Sequence, residues 1–177
     1  MPSSKPSVAE LRAVCQPAGL VGRRSGEHWA GRLYMRRLSI HATRHLVGAP
    51  VSANTLTGLM IVVGMAAAAA ATIPTLWAAL LAAVGIQGYL LLDCADGEVA
   101  RWRRTTSPTG VYLDRVGHYV VEVALIAAVG ARADGGLTSM GGWTTLGLLA
   151  AVLALLTKAE TDLVAVARAA AGLPVVT

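Results

Sequence analysis

Between Arg44 and Asp93 the chain carries no Lys, Arg, Asp or Glu. A charge-free run of that length cannot cover a water-facing surface, and it exceeds the roughly 20 residues that cross a bilayer once. In hydrocarbon each backbone N–H and C=O must be satisfied within the segment, which leaves helices as the way across for such a run. The break Thr72-Ile73-Pro74-Thr75 divides it into two expected spans, 54–71 and 75–95. A third apolar helix is expected over 110–131, a loop over 131–136 and a fourth span over Trp143–Leu156. After Lys158 the chain turns polar (Lys158-Ala159-Glu160-Thr161-Asp162), and what remains is too short and too mixed for another crossing.

Composition agrees. Only 14% of the 177 residues are charged, against about 25% in soluble domains. The apolar residues are mostly Ala, Leu and Val, with 19 Gly and no Phe. Small residues let helix backbones approach closely in a bilayer, where no hydrophobic force draws helices together. The fold expected is therefore all-α: a polytopic helical membrane protein with an N-terminal interfacial amphipathic helix and four transmembrane helices.

Residues 1–25 read as a flexible basic tail with no apolar stretch of the kind a signal peptide needs. Over 26–47 the pattern is that of a helix in the membrane interface, with a soluble helical tail as the alternative. Trp29, Leu33, Tyr34, Leu38 and Ala42 lie near one face, and Arg32, Arg36 and Arg37 around the other. The transmembrane bundle then takes 48–158, and 159–177 forms a polar C-terminal segment.

The net charge of +5 is placed for a membrane rather than for nucleic acid, which is not an expected partner. Eight of the fifteen basic residues precede the first span. With the N-terminus inside, Arg101, Arg103, Arg104, Arg115, Lys158 and Arg168 also fall inside, and Arg132 alone falls outside. That satisfies the positive-inside rule and predicts an integral membrane protein, in the plasma membrane if bacterial, with a cytoplasmic N-terminus. Cys15 and Cys94 then lie on or near the cytoplasmic side, where a structural disulfide is not expected.

Chemistry concentrates in two stripes. Helical spacing places Asp93, Asp96, Gly97, Ala100 and Arg101 on one face, and Gly110, Asp114 and His118 on a face of the next helix, with Glu122 one turn beyond. Three carboxylates converging from two antiparallel helices at the cytoplasmic membrane face repel one another and are costly to desolvate. A divalent cation resolves this, and hard oxygen ligands suit Mg²⁺ or Mn²⁺. Gly97 and Gly110 leave room for a phosphate and a facing helix, and Arg101 suits phosphate oxygens. Pairing with neighbouring arginines would account for any one of these acids, less readily for three in register.

The chain resembles the CDP-alcohol phosphotransferases. Their signature D-x2-D-G-x2-A-R-x8-G-x3-D-x3-D is met by Asp93, Asp96, Gly97, Ala100, Arg101, Gly110 and Asp114, with His118 at the last position. The segment Asn54-Thr55-Leu56-Thr57 is similar to the family's P-N-x-x-T, with Ala53 in place of Pro. The resemblance implies transfer of a substituted phosphate from a CDP-linked donor, such as CDP-diacylglycerol, to an alcohol acceptor with release of CMP. This would be an enzyme of phospholipid or related biosynthesis, working among membrane lipids, and a homodimer is compatible with it. It implies two divalent metals, Mg²⁺ or Mn²⁺, on Asp93, Asp96, Asp114 and the last motif position, here His118. It implies nucleotide and phosphate contacts at Asn54, Thr55, Leu56, Thr57, Gly97, Ala100, Arg101, Ser107 and Gly110.

Two departures from the pattern matter. His118 stands where the family has an Asp used as general base and metal ligand. Histidine is a plausible base for an alcohol, with Asp114 beside it in the catalytic pair, but a poorer ligand for Mg²⁺. Glu122 is placed either to orient His118 or take over part of its role, or simply to pair with another buried polar group. The second departure is helix number: the family typically has six spans and this chain offers four, without the last two. The rival reading is a non-catalytic membrane relative that binds nucleotide or lipid, or a structural subunit.

Overall fold

A computed structural model describes residues 6–17 and 31–174 as helices and connecting turns, with no strand among the described residues. Six α-helices follow in order: α1 (Val8–Cys15), α2 (Arg36–Leu46), α3 (Ala53–Ala71), α4 (Leu76–Arg103), α5 (Pro108–Ala133) and α6 (Gly142–Ala170). One turn of π-helix, Gly31–Met35, leads into α2. Among the described residues three helices, α3, α4 and α5, are long and apolar enough to cross a membrane. The all-helical membrane fold expected from the sequence is the fold adopted. Large apolar side chains face outward along the spans, as with Trp77 (79% exposed) and Val84 (69%); in a bilayer that surface meets lipid.

The fourth expected span lies within α6, which is not among those three. The helix also continues through the polar residues after Lys158 as far as Ala170. No Gly or Pro interrupts it from Leu148 onward, and the Thr157 and Thr161 hydroxyls fold back onto the carbonyls of Leu153 and Thr157. The stretch 159–170 is thus a continuation of one helix rather than a separate polar segment.

The chain divides into two compact units, Met1–Val63 with Gln87–Gly117 and Gly64–Ile86 with His118–Thr177. In the first, the tail read as flexible holds an ordered helix, and two causes are visible. Ser7 and Glu10 form a reciprocal capping box that satisfies the first N–H groups of α1. Leu11 and Cys15 are buried in a cluster with Ile40 of α2, backed by Val8, Val47 and Trp102. Residues 1–5 and 18–30, which include Trp29 of the expected apolar face, lie outside the described residues.

The inner face of α2 differs from the expectation. Met35, Ser39, Ile40 and Thr43 are buried, whereas Leu33 and Leu38 are 61% and 54% exposed. Polar residues turn inward because they serve a carboxylate. Glu98 of α4 is fully buried, and it accepts hydrogen bonds from Ser39 Oγ (2.7 Å), Thr43 Oγ1 (2.7 Å) and Gln16 Nε2 (2.7 Å), with Arg36 Nη1 at 3.7 Å. A buried charge is tolerated when its oxygens are satisfied in this way.

Arg103, read from sequence as one of a cluster of inside charges, is a clamp on the backbone. Its guanidinium donates to the carbonyls of Leu46 (2.8 Å), Val47 (3.2 Å), Ala49 (2.6 Å) and Val51. These include carbonyls left open at the end of α2. The clamp fixes the connection to Ser52, whose Oγ caps α3 by accepting from Thr55 N–H at 3.1 Å.

In the second unit Arg132 donates to the carbonyls of Ile73 and Thr75, tying the α3–α4 turn to the end of α5. The one basic residue expected outside is thus engaged by the backbone. Asp134 accepts from the N–H groups of Gly141 (2.8 Å) and Thr144 (2.6 Å) and from the Thr144 hydroxyl (2.7 Å), which caps α6. Those bonds, led by Thr144, hold its carboxyl below the usual carboxylate range. Gly130 and Gly147 meet at the crossing of α5 and α6, where a Cβ on Gly130 would lie 2.5 Å from the Trp143 carbonyl oxygen.

Candidate active site

The site residues cluster where α4 ends and α5 begins. Helix α4 closes in a Schellman motif, with Thr105 N–H bonded to Ala100 O (2.9 Å) and Arg104 N–H to Arg101 O (3.2 Å). Arg104 takes the left-handed position (φ 55) that glycine usually fills. The chain then turns through 105–107, and Ser107 caps α5 by accepting from Gly110 N–H at 3.1 Å, with Pro108 at the first helical position. This short turn sets the two motif helices side by side.

Across the pair, Asp93 of α4 and Asp114 of α5 are both half-buried and bring carboxylate oxygens within 4.8 Å of each other. His118 lies one turn beyond Asp114 on the same helix. Its Nδ1 lies 3.6 Å from Glu122 Oε1, and Glu122 Oε2 pairs with Lys158 Nζ at 2.5 Å. Glu122 thus lies beside His118 and pairs with the half-buried Lys158.

Asp96 is placed differently. It is buried, and its Oδ2 accepts a 2.5 Å hydrogen bond from Thr57 Oγ1 of α3. Thr57, read from sequence as a phosphate contact, is the residue that orients this acid. Of its neighbours, Leu56 is packed into the core and Thr55 shares its hydroxyl with Ser52 at the start of α3. Asn54 faces α5: a Cβ on Gly110 would lie 3.2 Å from Asn54 Oδ1 and 3.4 Å from Ser107 Oγ. Asn54, Ser107 and Gly110 thus lie close together.

Gly97 and Arg101 are also partners. The Arg101 guanidinium folds back over Gly97, where a Cβ would come within 3.1 Å of Nη1 and 3.4 Å of Nη2. Its Nε donates to the Cys15 carbonyl at the end of α1, at 2.8 Å. Cys15 donates its Sγ–H to Glu98 O (3.3 Å), and burial, reinforced by the Glu98 charge, raises its pKa and keeps it a thiol.

The model of the CDP-alcohol phosphatidyltransferase family matches residues 50–175. The chain belongs to this family. No curated protein matches it significantly. CDP-alcohol phosphatidyltransferases transfer phosphate-linked groups from a CDP-alcohol to an acceptor, depend on a divalent metal and are membrane proteins. The match begins at Pro50 and so leaves out α1 and α2. Those two helices bring Cys15, Gln16, Ser39 and Thr43 to the back of the motif helix, and the sequence reading assigned none of them a role. Glu98 was the available signal: a carboxylate between motif residues but off their face has to meet some other element.

Proposed function

We propose that this CDP-alcohol phosphatidyltransferase moves a substituted phosphate from a lipid-linked CDP donor, CDP-diacylglycerol or a close analogue, to an alcohol, releasing CMP. The observation that carries the reading is the Asp93–Asp114 pair, set within 4.8 Å by two helices that carry the family spacing. Two half-buried carboxylates at that separation repel, and a divalent cation shared between them relieves the repulsion. Their oxygen donors fit Mg²⁺ or Mn²⁺, with Asp96 as the further oxygen donor. When bound, such a cation polarises the phosphoryl oxygens and stabilises the departing CMP.

The chain's own groups do the rest. Arg101 lies over Gly97 and binds phosphate oxygens there. Asn54, Ser107 and Gly110 receive the nucleotide, and Thr57 fixes the rotamer of Asp96. His118 accepts the proton of the acceptor hydroxyl as the new P–O bond forms and the bridging P–O bond to CMP breaks. A lipid-linked donor suits a site carried on helices apolar enough to cross a membrane, so that the hydrocarbon stays in the bilayer while the nucleotide faces the cytoplasm.

The test is release of labelled CMP from CDP-diacylglycerol in the presence of Mn²⁺ or Mg²⁺ and a panel of alcohols. His118→Ala should lose about two to four orders of magnitude in rate, the usual worth of a general base, and still bind CDP. Full activity in His118→Ala would remove that role from His118. One observation favours a second reading, a non-catalytic relative that binds nucleotide without turnover: His118 replaces the last motif aspartate. A wild type inactive with every donor, together with CMP release by His118→Asp, would establish it.

A further inference from the structure

Arg101 is the proposed phosphate ligand of the site, yet its one side-chain hydrogen bond among the described residues leads away from the site, from Nε to the Cys15 carbonyl at 2.8 Å. We propose that α1 is part of the donor site, with Gln16 and Glu98 as positioning residues that hold Arg101 through it. The inference rests on the proposed role of Arg101 in binding the donor's phosphates.

A guanidinium on a flexible stem has several rotamers, and holding one of them costs conformational entropy when a phosphate binds. Anchoring Nε removes most of that freedom beforehand. It also leaves Nη1 and Nη2 against Gly97, where the missing side chain opens room for a phosphate. An arginine so held presents a fixed two-pronged face to the phosphate oxygens.

The anchor is a carbonyl, so its position depends on how α1 is docked. Three hydrogen bonds from two side chains dock its end. Gln16 Nε2 donates to Glu98 Oε1 (2.7 Å) and to Arg36 O (2.7 Å), and Cys15 Sγ donates to Glu98 O (3.3 Å). Glu98 is fully buried and also receives Ser39 and Thr43 from α2. Leu11, fully buried against Ile40, holds the body of the helix, and Arg44 Nε reaches Pro6 O at 3.0 Å near its start. One carboxylate, three residues before Arg101 on α4, therefore fastens α1 and α2 together beneath the guanidinium.

The experiment is titration of CDP, in Mn²⁺ buffer, into the full chain and into Leu11→Asp, Gln16→Ala, Arg101→Ala and the doubles with Arg101→Ala. Leu11→Asp places a charge where α1 is buried and undocks it. Gln16→Ala removes two docking bonds without burying a charge, and serves if Leu11→Asp does not fold. Each single should weaken CDP binding about three- to tenfold. Each double should bind no more weakly than Arg101→Ala alone, because α1 acts through Arg101. A purely structural role would not give that equality: losses would then add in the doubles, and the inference would be overturned. Unchanged binding in Leu11→Asp or Gln16→Ala, with a loss in Arg101→Ala, would overturn it too and leave the donor site standing. Unchanged binding in Arg101→Ala would overturn both.

Discussion

Thr57 shows how a single hydroxyl serves the site. Its Oγ1–H donates to Asp96 Oδ2 at 2.5 Å, with the Ala53 carbonyl 3.2 Å away, so a buried acid has a fixed rotamer before any ligand arrives. Thr57→Val keeps the shape and removes the donor. A buried acceptor left without its partner costs about 1–3 kcal/mol, so denaturation in detergent should show a loss of that size, with weaker Mn²⁺ binding beside it. Unchanged values for both would mean that the hydroxyl does not orient Asp96. At this scale the sequence was partly legible. The placing of Asp114 and His118 one turn apart was readable, because helical periodicity alone puts them there. The partner of Asp96 was not, since it comes from α3 and residues 39 positions apart meet only after folding.

Among the elements, the breaks were the most legible feature. Pro74 in the Thr72–Thr75 turn and the Gly-rich stretch after Asp134 fall between helices, as local backbone chemistry requires. The order of α1 was legible only in part: its capping box, Ser7 with Glu10, is a local signal, but Leu11 and Cys15 packing on α2 and the buried Glu98 are long-range contacts. The run of α6 past Lys158 departs from the expectation for a different reason: polarity does not end a helix, and the residues there form helices readily. Helix crossings yield a direct test. Gly130→Ala puts a methyl 2.5 Å from the Trp143 carbonyl and 2.9 Å from Gly147 Cα, both backbone, so α6 has to move away. Overpacking of this kind typically costs about 1–3 kcal/mol, read as a lower midpoint of thermal unfolding. Gly58→Ala is the matched control, since nothing lies within 4 Å of its new methyl. Equal behaviour of the two variants would refute the close crossing.

For the whole molecule, charge placement proposes a cytoplasmic site. In a background lacking Cys15 and Cys94, a cysteine at Thr106 should react with an impermeant reagent from the cytoplasmic side alone, and one at Ser139 from the opposite side. Labelling of Thr106→Cys from outside would reverse the orientation and place the site on the other face. Family membership and membrane class were legible in the sequence because motif spacing and hydropathy are local. The service of α1 and α2 to the site was not, since it lies outside the matched residues 50–175. The central proposal, that Asp93 and Asp114 share a cation which in turn engages the donor's phosphates, is tested most directly by calorimetric titration of CDP into the full chain. With Mn²⁺ present CDP should bind, and excess chelator or Asp114→Asn should weaken binding by at least about tenfold, the scale of one lost charged interaction. Equal binding of CDP in excess chelator would contradict it.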